Sequence, residues 1–127
     1  MFGEEYIYGV SEATIDEKGR FWLPGFTNAE IGDKLLVIKE EDMLRIANEN
    51  DINKYIDEIE ERIKSETDEE KIQALKDKLY KFYESIVKRC TVETKRRILL
   101  GEKNDQKTKY KIIGARKEII LKKITED

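Results

Sequence analysis

The chain has 127 residues, 42% of them charged and 39% hydrophobic, which suits one folded domain with a heavily solvated surface. It contains no histidine and a single cysteine, Cys90, which excludes Ser-His-Asp and Cys-His nucleophile systems, imidazole metal sites and an internal disulfide. The formal charge of −3 argues against indiscriminate binding to nucleic acid, yet it hides an asymmetry: residues 1–87 carry 12 basic and 22 acidic side chains, residues 88–123 carry 13 and 4.

In chain order, Phe2 to Val10 alternates loosely, with Tyr6, Ile7, Tyr8 and Val10 apolar. Ala13-Thr14-Ile15-Asp16 and Arg20-Phe21-Trp22-Leu23 are short β-prone runs separated by Glu17-Lys18-Gly19. Three intervening residues ending in glycine predict a hairpin closed by a type I turn and a left-handed glycine. Pro24 has no N–H for a ladder and should end the strand. Lys34–Lys39 reads as a hydrophobic strand, Glu40-Glu41-Asp42 as an acidic turn, and Met43–Ala47 as its return. That acidic triplet has the chemistry to hold a hard cation, but a solvated turn is the simpler reading.

The middle is helical. Asn50 or Asp51 can cap a helix whose apolar face is Ile52, Tyr55, Ile56, Ile59 and Ile63. Thr67-Asp68-Glu69-Glu70 fits a capping box, with the Thr67 hydroxyl and Glu70 carboxylate bonding reciprocal amides. The helix it opens carries Ile72, Leu75, Leu79, Phe82 and Ile86 on one face, widened by Tyr83 and Val87. A connection of a few residues predicts an antiparallel helical hairpin over 50–89, its stripe serving as core or oligomer seam. β character then returns at Thr91-Val92-Glu93, Arg97–Leu100, Tyr110–Ile113 and Ile119–Leu121.

The end of the chain lies over its beginning. Residues 14–23 align without a gap on residues 91–100, with Ile15 on Val92, Asp16 on Glu93, Lys18 on Lys95, Arg20 on Arg97 and Phe21 on Ile98. Downstream, Val37-Ile38 matches Ile112-Ile113, and Leu44 and Ile46 match Ile119 and Leu121, across a connection two residues shorter. Repeated order of this kind marks an internal duplication. One copy of about four short strands can neither close its sheet edges nor bury its face, whereas two can by interleaving about a pseudo-two-fold axis.

The segment Asp16-Glu17-Lys18-Gly19-Arg20 followed by Leu23-Pro24 resembles the D-x-K-G-R-x-x-L-P signature of the MraZ proteins, members of the AbrB/MazE swapped-hairpin superfamily. Met1-Phe2-Gly3-Glu4 with Tyr6 is similar to MraZ N-termini, and the duplicated units with helices between them extend the resemblance over nearly the whole chain. The resemblance implies an α+β single domain, 1–127. Two AbrB/MraZ-like β units, 1–48 and 90–124, would form a pseudo-two-fold swapped-hairpin barrel with the helical hairpin inserted between them. It further implies a bacterial transcriptional regulator that assembles as a homo-oligomer, in this family a ring, and binds repeated double-stranded DNA boxes upstream of cell-division and cell-wall genes through its D-x-x-x-R hairpins. The expected location is cytoplasmic and nucleoid-associated. The second copy departs from the signature: Gly19 becomes Arg96, Pro24 becomes Gly101 and Asp16 becomes Glu93. A non-glycine residue in a left-handed turn position costs roughly 1 kcal/mol or more, so the second turn should be strained or differently shaped.

Asp16 and Arg20 flank their turn and can pair across it, as can Glu93 and Arg97. At the least this is a hairpin-stabilising ion pair worth about 0.2–1 kcal/mol. In the DNA-binding reading the carboxylates Asp16 and Glu93 orient Arg20 and Arg97 to fork onto guanine or phosphate. Lys18, Lys95 and Arg96 then lie near the turn tips for phosphate contact. The alternative is a non-catalytic oligomeric scaffold that keeps the fold with weakened DNA binding, which the overall acidity and degenerate second copy favour. With no histidine, no glycine-rich phosphate loop and no paired cysteines, an enzyme is not expected, nor a catalytic residue, metal, cofactor or small-molecule substrate. Trp22 and the six tyrosines read most simply as core or strand-pair residues. The N-terminus lacks the pattern of a signal peptide, the lone cysteine suits a reducing compartment, and no apolar run approaches a membrane span of about 18 residues.

Overall fold

A computed structural model describes residues 1–101 and 108–124. Among these residues eight strands and two α-helices follow in order: β1 (Val10–Thr14), β2 (Arg20–Trp22), β3 (Lys34–Glu40), β4 (Met43–Asn48), α1 (Glu49–Ser65), α2 (Glu69–Ser85), β5 (Ile86–Thr91), β6 (Arg97–Leu99), β7 (Lys109–Ala115) and β8 (Glu118–Lys123). The part of the second unit at 102–107, and residues 125–127 with Glu126 and Asp127, lie outside the described residues. The class is α+β: a six-stranded antiparallel sheet in the order β1-β7-β8-β4-β3-β5, a two-stranded ribbon β2-β6, and a pair of helices.

The first reverse turn forms as the sequence predicts, but its arms part. The Gly19 amide donates to the Asp16 carbonyl at 3.0 Å, and Gly19 has φ 79°. Beyond the Asp16 N–H to Arg20 O bond, however, β1 and β2 take partners from the far end of the chain. Thr14 of β1 faces Lys109 of β7, and Phe21 of β2 faces Ile98 of β6. A local hairpin signature fixes a turn and leaves open which strands its arms join.

The strand order is unchanged when each strand of the first unit is exchanged for its repeat equivalent: β1 for β5, β2 for β6, β3 for β7 and β4 for β8. Two equivalent positions pair directly with each other, Phe21 with Ile98 and Arg45 with Ile120, so the topology has a two-fold relation through both pairs. The unit-to-unit exchange is reciprocal, because β1 joins β7 while β5 joins β3. The tight β3–β4 and β7–β8 turns also correspond, with positive φ at Glu41 (50°) and Arg116 (66°).

One sheet face and the ribbon's inner face enclose the main core, in which Phe21, Leu35, Ile46, Ile98, Ile112 and Ile119 are fully buried. On the opposite face, Leu36, Ile38 and Ala47 lie under Ile52, Ile56 and Phe82 of the helices. Covered on both sides, β3 reads as a continuous apolar run rather than an alternating one. The helices pack as an antiparallel hairpin, with Tyr55 and Phe82 in an edge-to-face contact at 4.9 Å between centroids.

Three local expectations are corrected. The cap of α1 is Asn48, whose side chain accepts from the Asn50 amide, rather than Asn50 or Asp51, because β4 runs straight into the helix. The cap of α2 is Asp68, accepting from the Glu70 and Lys71 amides, so the Thr67–Glu70 capping box does not form. The helical segment ends at Ser85 rather than residue 89, since residues 86–91 pair with β3 and are the second unit's copy of β1.

Candidate nucleic-acid interface

The site is built on the two turns and the ribbon between them. In the first turn, Asp16 Oδ1 accepts from the Lys18 amide at 2.9 Å and the Arg20 amide at 2.8 Å. Its Oδ2 takes Arg20 Nε at 2.5 Å. One carboxylate therefore shapes the loop and holds the guanidinium. Desolvation pushes the Asp16 carboxyl up, but the hydrogen bonds from Arg20 and Lys18 outweigh it and hold the group below its ordinary value. Arg20 binds through Nε, which leaves its two Nη groups without a protein partner among the described residues, and its Cζ lies 5.5 Å from the centre of the Trp22 ring.

The second turn reaches the same end differently. Lys95 (φ 59°) and Arg96 (φ 59°) are consecutive left-handed residues, and the Arg97 amide donates to the Thr94 carbonyl, as in a type I′ turn. This is the altered, strained turn expected from the loss of the glycine. Glu93 pairs with Arg97, its Oε2 accepting Nη2 at 2.5 Å and Nε at 3.2 Å. Arg97 thus commits two donor groups where Arg20 commits one.

Backbone bonds related by the two-fold tie each turn to the other unit. The Gly19 carbonyl accepts from Leu100 N–H at 2.9 Å, and the Arg96 carbonyl from Leu23 N–H at 2.9 Å. Arg96 also donates Nε to the Leu23 carbonyl at 3.1 Å, so its side chain braces the first unit although the residue is exposed.

Phe21 and Ile98 point inward at 0% exposure, so Arg20, Trp22, Arg97 and Leu99 form the ribbon's outer face. Lys18, Arg20, Glu93, Arg97 and Leu99 line one shared depression of about 260 Å³. The structure thus brings Lys18, Arg20 and Arg97 together, and their carboxylates with them, while Lys95 sits exposed at the second turn tip. Trp22 and Leu99 (39% and 47% exposed) also belong to this face. Trp22 is a strand-pair residue opposite Arg97, but an outward one; Tyr6, Tyr8, Tyr80 and Tyr83 are likewise exposed rather than core. In Arg20-Phe21-Trp22-Leu23 two adjacent aromatics mask the period of two, and only pairing with β6 shows which one faces out.

Among the described residues no group of three His, Cys, Asp or Glu side chains is placed to hold a metal, and in the Glu40-Glu41-Asp42 turn Glu40 is paired with Arg45 at 2.5 Å. No helix among them is long and apolar enough to cross a membrane. No family model matches the chain, and no curated protein matches it.

Proposed function

We propose that the chain is a DNA-binding transcriptional regulator of MraZ type, with the swapped-hairpin barrel of that superfamily, acting as a homo-oligomer on nucleoid DNA in the cytoplasm. The observation that carries this reading is the equivalent placement of Arg20 and Arg97, each held by a carboxylate, on the outer face of one two-stranded ribbon. A two-stranded ribbon fits the major groove, where a guanidinium can fork onto guanine. As diagonal neighbours across an antiparallel pair, the two arginines stand roughly 7–8 Å apart, somewhat less at their Cβ atoms. That is close to two base-pair rises of about 3.4 Å each. Lys18 and Lys95 add phosphate contacts beside them.

Overall acidity is no obstacle to this reading. Residues 49–85 carry 12 acidic and 7 basic side chains, and these helices cover the sheet face opposite the ribbon. The duplex would meet the ribbon with the acidic hairpin behind the sheet.

Fluorescence anisotropy with a random double-stranded pool tests the proposal. Wild type should bind with an affinity that falls steeply with salt, and each lysine removed should lower the slope of log K against log salt by about one. Arg20→Ala with Arg97→Ala should abolish binding while the thermal melt survives. Equal binding by that double variant would end the reading.

A scaffold without DNA binding is favoured by a different surface: Val10 is 65% exposed on β1, an outer strand of the sheet, with exposed Tyr8 beside it. Failure to bind duplex DNA at moderate salt, with an oligomer that Val10→Lys dissociates, would select it.

A further inference from the structure

We infer that Trp22 is a specificity-determining residue that gives the bound DNA site a direction, so that its two halves are read unequally; this rests on the DNA-binding reading above. The ribbon has a two-fold through Phe21 and Ile98, and so does a palindromic duplex. A ribbon face obeying that symmetry would contact both half-sites alike. Of its outward residues, Arg20 and Arg97 obey it, whereas Trp22 and its equivalent Leu99 do not.

The difference is chemical as well as steric. An indole 39% exposed offers a flat aromatic face for a thymine methyl or an unstacked base, and a leucine offers only a small branched one. Arg20 lies over that indole at 5.5 Å, so cation and ring are in contact along β2. Arg97 has both Nε and Nη2 on Glu93 and retains less of its fork for a base. By the register Arg20 stands beside Leu99 and Trp22 beside Arg97, so one half-site meets the freer guanidinium with a leucine and the other meets the indole with the carboxylate-bound arginine, and the two halves are read unequally.

A site selected from a random duplex pool, with equivalent base pairs then substituted in each half, tests this. For the wild type a substitution in one half should weaken binding at least about fivefold more than its counterpart in the other, the range of a lost aromatic contact. Trp22→Leu should change the ratio between the halves at least about fivefold, and Trp22→Leu with Leu99→Trp should move the aromatic contribution to the opposite half-site. Trp22 is the sole tryptophan, so its fluorescence should also be quenched on binding. Equal halves for the wild type, or an inequality untouched by Trp22→Leu in a protein of unchanged melt, would overturn the inference and leave DNA binding standing. Absence of any selected site would instead defeat the DNA-binding reading itself.

Discussion

Asp16 and Glu93 occupy equivalent positions and differ by one methylene, and the two carboxylates serve their turns differently. The shorter carboxylate reaches back to two amides of its own loop while holding Arg20; the longer one holds only Arg97. Asp16→Asn keeps an acceptor for the amides and removes the charge, so the fold should persist while Arg20 loses its anchor. The folded-state value of Asp16 lies below the ordinary 3.8, so the unfolded chain takes up the proton first. Its contribution to stability is therefore complete above pH 3.8 and is lost as pH falls through the folded value. Denaturation by acid, followed by circular dichroism, should show a shallower loss of stability below pH 3.8 in Asp16→Asn than in wild type.

The second turn carries its strain at Lys95 and Arg96. Two non-glycine residues in the left-handed region cost roughly 1–2 kcal/mol each. Lys95→Gly relieves one of them and gives back part through the greater freedom of glycine in the unfolded chain, leaving a gain of about 0.5–1 kcal/mol. The melting temperature should rise by a few degrees. Arg96→Gly is the poorer substitution, because it also deletes the bond to the Leu23 carbonyl. Cys90 is buried with its Sγ toward the Leu99 carbonyl, and burial pushes the thiol up despite nearby Lys88. A thiol reagent should leave it untouched in the native protein and label it on unfolding.

At the scale of elements, strands with one dominant partner hairpin were legible and junctions were not. Lys34–Lys39 and Met43–Ala47 stand out because hydrophobic runs flank an acidic turn, and β3 and β4 pair across that turn. β5 was hidden because Ile86 and Val87 continue the spacing of α2, and nothing local marks where helix becomes strand. Caps failed for a related reason. Thr67 and Asp68 are both competent, and the choice falls to whichever precedes the first helical residue. Asp68→Ala should cost about 1 kcal/mol in a denaturant melt, whereas Thr67→Ala should stay within about 0.5. Gly114 is fixed by packing rather than by a turn. A Cβ there would stand 2.8 Å from the Ile7 carbonyl oxygen, where the N-terminal segment runs antiparallel beside β7. Gly114→Ala should therefore destabilise by about 1–3 kcal/mol, the usual cost of overpacking.

Over the whole molecule, the duplication was readable because ten residues align without a gap, and Arg20 and Arg97 fell to equivalent positions by that alignment alone. The reciprocal exchange of strands was only a packing inference, since no local signal says that an arm of one turn belongs to the other unit's sheet. That exchange has a consequence for folding. β1 and β2 gain their ladders from β7 and β6, which closes loops of most of the chain's length and makes folding wait on non-local contacts. A fragment spanning residues 1–48 retains only the β3–β4 pairing, and an isolated two-stranded hairpin is marginal in water. It should show little sheet by circular dichroism and no protected amides at residues 10–14. Mixing it with the fragment 49–127 should restore both, because the missing strands arrive with their partners. Protection of residues 10–14 in the short fragment alone would mean that β1 does not depend on β7.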